Sequence, residues 1–300
     1  MRVFVTGAAG LVGSRLCAQL AGEGNTPVGL SRRIRTEGDM EWVQGEVGDA
    51  GAWQAALDGC DAVVHLAGES IASGRWTASR KQRLVDSRIL STRQVVAAIA
   101  AAKSPPRVLV NASAAGFYGP RGAEDLDESS APGSDFLADL CVEWESEARI
   151  ASSLGVRVVC LRLGVVLSGR GGALQKMVLP FRLGLGGPLG PPDRWFPWVH
   201  EADATAVIRF ALGTPLTGAV NAVAPQLVTM GDFAKTLGRV LHRPALLPVP
   251  LFALRTLLGE MADSLSPGQR VHSRAARKAG FQFEFSELEP ALRACLNGRA

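Results

Sequence analysis

The segment spanning residues 5–13 constrains the fold more than any other part of the chain, because it joins a strand to a helix through a turn that glycine alone permits. It reads Val-Thr-Gly-Ala-Ala-Gly-Leu-Val-Gly and continues the apolar run of residues 2–6. Gly7 permits the tight turn, Gly10 lets the backbone approach a ligand, and Gly13 lets the helix pack on the strand. The free N–H groups of such a turn favour binding of a diphosphate, and the alternative is a purely structural glycine turn.

Short apolar runs alternate with longer helical patterns through the first half of the chain. The runs predict strands over residues 2–6, 27–31, 41–44, 61–66, 107–112 and 156–161. The patterns between them predict helices over residues 11–23, 50–57, 79–101 and 136–154. Several strands are apolar on both faces, as buried parallel strands are when helices cover both sides of a sheet. The fold class predicted is therefore α/β, with a doubly wound parallel sheet of the Rossmann type.

The pattern changes after residue 167. Stretches rich in Gly and Pro predict loops over residues 168–172 and 184–192, and helices are predicted over residues 202–212, 229–241, 251–264 and 286–296. A further strand is predicted near residues 221–224. We therefore predict a nucleotide-binding domain over residues 1–167, with returns near 200–224, and a smaller, mostly helical C-terminal substrate lobe over residues 168–300.

Composition narrows the class of protein further. Of the 300 residues, 47% are hydrophobic and 20% are charged, which is enough for a full core and unlike a disordered chain. A net charge of +4 without a dense Lys/Arg run argues against nucleic-acid binding. The five cysteines lie far apart without C-x-x-C spacing, so we expect reduced thiols and no metal site. With no signal peptide or membrane-spanning run visible, we expect a cytoplasmic protein with a small-molecule substrate and leave the oligomeric state open.

The end of the second predicted strand indicates which dinucleotide fits. A domain of this kind that binds NAD usually carries Asp or Glu there, to accept from the ribose 2′-hydroxyl. This chain has Ser31 and Arg32 instead, and a guanidinium pairs with a 2′-phosphate. We therefore predict NADP(H), and the alternative is a solvated basic turn.

Topology adds contacts at the carboxyl ends of the other strands. Together with the first turn, the predicted cofactor contacts are Gly7, Gly10, Leu11, Val12, Gly13, Ser31, Arg32, Glu46, Val47, Leu66, Ala67, Gly68 and Ala112.

Longer motifs run through nearly the whole chain. They include Thr6-Gly7-x-x-Gly10-x-x-Gly13, His65-Leu66-Ala67-Gly68, Ser113-Ala114-Ala115-Gly116-Phe117-Tyr118-Gly119, Trp198-Val199-His200-x-x-Asp203 and Gly268-Gln269-Arg270-Val271. In these motifs the chain resembles the short-chain dehydrogenase/reductase superfamily in its extended, epimerase/dehydratase-like form. It is most similar there to an NADP-dependent branch, the epimerase family proteins. The resemblance implies a nucleotide-cofactor-binding fold of the extended type, without defining a substrate.

The usual proton donor of that superfamily is missing. Most members use Tyr-x-x-x-Lys, in which the Lys lowers the pKa of the tyrosine. The one tyrosine here, Tyr118, is followed four places later by Gly122, and the matching helix has Leu137 and Cys141 at the two places. Arg88 also departs from the family pattern, because it stands where an Asn is usual. It is predicted either to hold an anionic group of the cofactor or substrate or to be an ion-paired structural residue.

Four side chains remain as candidates for moving a proton. Tyr118 follows the fifth strand, beside the expected nicotinamide, and the alternative is a tyrosine that packs in the cleft. Ser113 is predicted to bond a substrate oxygen or simply to close the strand. Glu69 is a candidate base, or pairs with a neighbour such as Arg75. His200 is a candidate donor near pH 7, or a structural histidine before a helix.

Three residues are predicted substrate contacts, namely Trp76, Lys81 and Trp198, and lobe packing or a solvated face is the alternative for each.

The main functional hypothesis is an NADP(H)-binding, epimerase/dehydratase-like oxidoreductase acting on a small carbonyl or nucleotide-sugar-like substrate. The alternative is a catalytically degenerate NADPH-binding regulator or scaffold. Hydride transfer itself is chemistry that the cofactor supplies, so the missing Tyr-Lys pair leaves both hypotheses open.

Overall fold

Eleven strands form in the computed structural model, which describes residues 1–36, 38, 40–247 and 268–297. They are β1 (Arg2–Thr6), β2 (Thr26–Ser31), β3 (Glu41–Gln44), β4 (Ala62–His65), β5 (Val108–Ala114), β6 (Asp125–Leu126), β7 (Arg157–Leu163), β8 (Val165–Leu167), β9 (Trp198–His200), β10 (Gly218–Ala222) and β11 (Arg270–Val271). Seven of them build one sheet in the order β10-β7-β5-β4-β1-β2-β3, and every pair in it is parallel. The short strands pair separately, as β6 with β11 and β8 with β9.

Eight α-helices connect and cover these strands. They are α1 (Leu11–Gly22), α2 (Ala78–Ala101), α3 (Phe136–Arg149), α4 (Gly172–Arg182), α5 (Glu201–Gly213), α6 (Met230–Leu241), α7 (Arg274–Lys278) and α8 (Leu288–Asn297). Short 3₁₀ turns occupy Ala52–Leu57, Ala115–Tyr118 and Ile150–Leu154. The number and the bounds refer to the described part of the chain, and the helix predicted over residues 251–264 lies outside it.

The sheet is buried on both faces because side chains alternate along each strand. Val3 and Val5 of β1 point into one core, where they pack with Leu16 of α1 and Ile208 of α5. Phe4 points into the opposite core, which α2 and α3 cover. Strand order and helix placement confirm the predicted doubly wound α/β fold.

Helix α4 is the longest described element that the sequence did not predict. The loop predicted over residues 168–172 ends where the helix begins, at Gly172, and Pro180 lies inside the helix. The helix forms because Leu174, Val178 and Phe181 lie on one face and are buried in a separate core with α6 and α8. Packing of one apolar face therefore overrides the local effect of the proline.

The C-terminal segments are fixed to the sheet domain through α5. The Asp203 carboxylate accepts hydrogen bonds from the backbone N–H groups of Glu284, at 2.8 Å, and Phe285, at 3.0 Å. Strand β10 adds directly to β7 in the main sheet, so the chain returns to that sheet after residue 200. The boundary after residue 167 stays a prediction.

A buried polar contact fixes the carboxyl ends of β1 and β4 against each other. The Thr6 hydroxyl lies 2.6 Å from Nδ1 of His65 and accepts the N–H groups of Leu66 and Ala67, each at 3.2 Å. On the other side of the ring, Nε2 of His65 lies 3.1 Å from the Thr92 hydroxyl. Burial, reinforced by the charge of Arg88, lowers the pKa of His65 to about 3, so the ring is neutral near pH 7.

This histidine should make the fold sensitive to mild acid. The pKa of His65 is about 3 in the folded protein against an ordinary value of 6.5, so the unfolded chain takes up the proton first as the pH falls. The stabilisation is complete above pH 6.5 and is lost progressively down to about pH 3. Between pH 7.5 and pH 5 we expect His65 to account for a loss of about 2 kcal/mol in the free energy of unfolding. Urea denaturation at both values, on the native protein and His65→Gln, measures it; equal pH dependence of the two proteins would contradict it.

Candidate dinucleotide-binding groove

A groove of about 890 Å³ runs along the carboxyl edge of the sheet. Its walls are the turn after β1, the ends of β2 and β3, the loop after β4 and one face of α2. Nine residues predicted from the sequence line it, namely Gly7, Gly10, Ser31, Arg32, Glu46, Val47, Ala67, Gly68 and Glu69. The topology therefore brings together residues that are up to 62 positions apart, from Gly7 to Glu69.

The glycine turn brings backbone, rather than side chains, into the groove. Gly7 has φ +68°, and a Cβ there would lie 2.8 Å from the carbonyl carbon of Leu66. A Cβ on Gly13 would lie 2.2 Å from the Gly7 carbonyl oxygen, so both positions exclude a side chain. Helix α1 begins at Leu11 with no side-chain cap at Gly10 and no acidic residue in its first turn. No side chain caps the first N–H groups of the helix, which include those of Leu11 and Val12. These groups can therefore donate to an anion such as a diphosphate.

Ser168, Arg170 and Glu201 support this turn from outside the groove. Arg170 donates from Nη2 to the Leu11 carbonyl oxygen at 2.9 Å and to the buried Glu201 carboxylate at 2.8 Å. The Ser168 hydroxyl donates to the same carboxylate oxygen at 2.8 Å. The first turn of α1 is thereby connected to the start of α5.

Basic side chains gather at the end of β2. Arg32 is 82% exposed, and its Nε lies 3.9 Å from the Glu46 carboxylate, which is itself half exposed. An exposed pair at this separation contributes little, so the guanidinium keeps most of its capacity for another anion. Ser31 accepts the N–H of Arg33 at 3.2 Å, and Arg33 and Arg35 also line the groove.

Arg80, near the start of α2, connects that helix to the loop after β4. Arg80 pairs with the Glu69 carboxylate and donates from Nη2 to the Ser70 carbonyl oxygen and the Ser73 hydroxyl, each at 2.7 Å. The neighbour considered from the sequence was Arg75, whereas the partner is Arg80. Glu69 thus reaches the groove, as predicted, but in a fixed ion pair.

Sequence reasoning missed the contribution of α2. Arg80, Ser87 and Ser91 line the groove, and their spacing of seven and four residues places them on one helix face. That spacing was visible in the sequence. The sequence alone did not show that this helix face lies against the groove, so it could not be told from a solvated face.

Tyr118 is buried away from the groove, which corrects its predicted position beside the nicotinamide. It is 0% exposed, donates to Asn221 Oδ1 at 2.7 Å and accepts from Arg162 Nη1 at 3.0 Å. Burial raises the pKa of Tyr118 to about 12, so its hydroxyl keeps the proton near pH 7. A tyrosine with both hydrogen-bonding positions occupied is part of the core.

Ser113 belongs to the same buried cluster. Its hydroxyl donates to Glu145 Oε1 at 2.7 Å, and Arg162 donates to both oxygens of that carboxylate, at 2.7 Å and 2.9 Å. Arg149 adds a third contact at 2.5 Å from the exposed side. The predicted alternative, that Ser113 closes the strand, agrees with this arrangement, whereas the predicted contact to a substrate oxygen does not.

The places of the family's Tyr and Lys are apolar in the structure. Leu137 packs toward Gly116, where an added Cβ would lie 3.4 Å from the Leu137 Cβ. Cys141 is buried, and burial raises the pKa of its thiol to about 12. A leucine has no proton to transfer, and the raised pKa keeps the Cys141 thiol protonated near pH 7.

His200 caps α5 and is buried. Its Nδ1 accepts the N–H of Ala202 at 3.2 Å, and its ring lies 3.8 Å from the ring of Phe285, between centroids. Burial lowers the pKa of His200 to about 4, so the ring is neutral at pH 7. The sequence placed this residue in a substrate loop, and the structure corrects that to a buried helix cap.

The indoles predicted to contact substrate are also buried. Trp76 donates from Nε1 to the Ile71 carbonyl oxygen at 3.1 Å, and Trp198 donates to that of Gln226 at 3.1 Å. Lys81 lies over the ring of Phe136, with Nζ 5.1 Å from the centroid. The two tryptophans therefore pack and fix loops, which was the predicted alternative.

Two predicted cofactor contacts lie behind the groove wall. Ala112 is buried in β5. Arg88 is 7% exposed and donates to the carbonyl oxygens of Leu84, at 3.1 Å, and Glu69, at 3.0 Å. Within the described residues no carboxylate oxygen lies within 4.0 Å of its guanidinium, so the predicted alternative of an ion-paired residue is wrong.

The parallel sheet, the glycine turn and the groove at the carboxyl ends of the strands define the Rossmann class of α/β proteins. A family model described as the NAD dependent epimerase/dehydratase family matches residues 3–223. This chain belongs to that family. A second model, described as a domain of unknown function, DUF1731, matches residues 249–295.

Relatives match along almost the whole chain. The epimerase family protein SDR39U1 homolog, chloroplastic, of Arabidopsis thaliana is 39% identical over 99% of this chain and 87% of its own length. Epimerase family protein YfhF of Bacillus subtilis is 39% identical over 97% of each chain. The crystal structure of human epimerase family protein SDR39U1 with NADPH superposes with a TM-score of 0.91, at 35% identity and 99% coverage of both chains.

Three further features bear on the class of site. Across the part of the chain that the structure describes, no helix has the length and apolar character needed to cross a membrane. The same residues contain no group of three His, Cys, Asp or Glu side chains that could hold a metal ion. All five cysteines are buried as free thiols.

The buried Glu145–Arg162 pair should matter for stability rather than for ligand binding. Arg162→Met leaves the Glu145 carboxylate without its main partner, so we expect the free energy of unfolding to fall by about 3–5 kcal/mol. Arg149 contacts the same carboxylate but is 45% exposed, so Arg149→Met should cost less than about 1 kcal/mol. Denaturant unfolding of the two variants provides the comparison, and equal losses would contradict the assignment.

Proposed function

We propose that this protein binds NADP(H) in the groove. The observation that carries the proposal is an uncapped, acid-free helix N-terminus beside the Gly7 turn, followed across the sheet by a hydroxyl and a guanidinium at the end of β2. The first suits the diphosphate, and Ser31 and Arg32 suit the 2′-phosphate. The human relative that was solved with NADPH supports the choice of cofactor.

The remaining groove residues follow from the same placement. Glu46 and Val47, after β3, border the adenine, and Ala67 and Gly68, after β4, border the nicotinamide riboside. When bound, NADPH supplies a hydride. The protein contributes the fixed backbone turn, the basic end and a wall of small residues that admits the ring.

The basic end should select the phosphorylated cofactor. Arg32→Glu places a carboxylate where the 2′-phosphate binds, so we expect NADPH affinity to fall by about 10- to 100-fold. NADH lacks that phosphate, so its affinity should change by less than about threefold. Calorimetric titration of both cofactors measures the two constants.

Arg93→Glu is the matched control for this experiment. Arg93 lies on α2 but pairs with Glu147 outside the groove, so its replacement should leave both affinities unchanged. Tighter binding of NADH than NADPH by the native protein would contradict the proposal.

Two roles are compatible with a bound cofactor. The first is an epimerase/dehydratase-like oxidoreductase acting on a small carbonyl or nucleotide-sugar-like substrate, with Glu69 as the proton-transfer group, because its carboxylate lines the groove after β4. The second is a regulator or scaffold that binds NADPH without turnover. The burial of Tyr118, Ser113 and His200 among partners of their own favours the second role.

Turnover separates the two roles. Under the first, Glu69→Gln should reduce NADPH oxidation on a carbonyl and nucleotide-sugar panel by at least about 100-fold while leaving NADPH affinity unchanged. Tyr118→Phe is the control and should leave that rate unaltered, since Tyr118 does not line the groove. Oxidation of no substrate, together with tight NADPH binding, would support the second role.

The proposal includes a small molecule as the ligand and the cytoplasm as the compartment. Five buried free thiols suit a reducing environment, because disulfides form and persist in oxidising ones. A net charge of +4 also suits an anionic small ligand.

A further inference from the structure

Arg88 carries a buried charge that no carboxylate neutralises within the described residues. Its guanidinium donates to two backbone carbonyl oxygens and the Ser87 hydroxyl, and its Cζ lies 5.2 Å from the centroid of the Trp144 ring. These contacts satisfy hydrogen bonds and add a cation–π interaction, but they leave the net charge in place. A buried, uncompensated cation raises the electrostatic potential around it.

Two acidic groups of this region, Glu69 and Glu145, pair with other cations. Glu69 pairs with Arg80, and Glu145 pairs with Arg162 and Arg149. Glu69 still attracts the Arg88 charge from beyond ion-pair distance and Arg80 repels it, so no direct pair with a carboxylate neutralises Arg88 within the described residues. Burial lowers the pKa of Arg88, yet a guanidinium stays protonated at neutral pH in proteins.

This charge lies against the groove wall at the nicotinamide end. A Cβ built on Gly68, which lines the groove, would lie 3.4 Å from Arg88 Cζ and 3.5 Å from Nη2. Burial raises the pKa of the Cys141 thiol, and the Arg88 charge acts on the same thiol in the opposite sense. Cys141 of α3 stands where the superfamily usually has Lys. Arg88 of α2 therefore places a positive charge in the region where other members carry one on α3.

We propose that Arg88 is a specificity-determining residue that makes the groove prefer NADPH to NADP⁺. The inference rests on the proposed function. The nicotinamide ring is positively charged in the oxidised cofactor and neutral in the reduced one, whereas all phosphates carry the same charge in both. A fixed cation beside Gly68 therefore opposes only the oxidised ring, and its attraction for the phosphates cancels when the two forms are compared.

The experiment compares the dissociation constants of NADPH and NADP⁺ by calorimetry. We expect the native protein to bind NADPH about tenfold more tightly, which corresponds to about 1.4 kcal/mol. Arg88→Met removes the charge and keeps the length of the side chain, so the ratio should fall to within about twofold of unity. Arg88→Lys keeps the charge and should retain most of the ratio.

Arg93→Met is the matched control, because it removes a guanidinium from the same helix outside the groove and should leave the ratio unchanged. Equal affinities for the two forms in the native protein would overturn the proposal even if the Arg88 variants fail to fold. An equal loss for both forms in Arg88→Met would also overturn it, since the charge would then act on the phosphates. Failure of the native protein to bind either form would instead refute the proposed function, and this inference with it.

Discussion

The close approach of the β1–α1 turn to the end of β4 determines the site. Gly7 leaves no room for a Cβ against Leu66, and the Thr6 hydroxyl accepts N–H groups from the start of the following loop. The same hydroxyl lies within hydrogen-bond distance of Nδ1 of His65. The position of the groove floor thus depends on one glycine and one buried Thr–His contact, and the remaining walls are placed relative to them.

The region that performs proton transfer elsewhere in the superfamily has a different physical character here. Apolar Leu137 and a protonated Cys141 thiol occupy the places of the reactive pair, and the polar side chains nearby are engaged in a buried cluster around Glu145 and Arg162. Ser113 and Tyr118 hydrogen-bond to that cluster instead of to a ligand. The family fold is therefore retained, while the places of the Tyr–Lys pair are filled by core packing.

The sequence predicted what depends on local pattern and topology. Apolar runs located the strands of the main sheet, and the rule that ligands lie at the carboxyl ends of parallel strands placed Arg32, Glu46 and Gly68 around one groove. It did not predict side-chain direction after the strand ends. Tyr118 and His200 point into cores because Asn221 and Phe285, distant in sequence, meet them there. Such partners depend on tertiary packing, which also formed α4 despite its proline.

The hydrogen bonds of Arg170 connect the start of α1 to the start of α5. One guanidinium joins the first turn of α1 to the buried carboxylate of Glu201, so the amides that face the groove are held by a segment more than half the chain away. By linkage, if occupancy of the groove stabilises the attachment of α5, that attachment strengthens nucleotide binding by the same amount. A bound dinucleotide would then stabilise the packing of α5 against α1. Loosening of α5 would in turn weaken the binding of the dinucleotide.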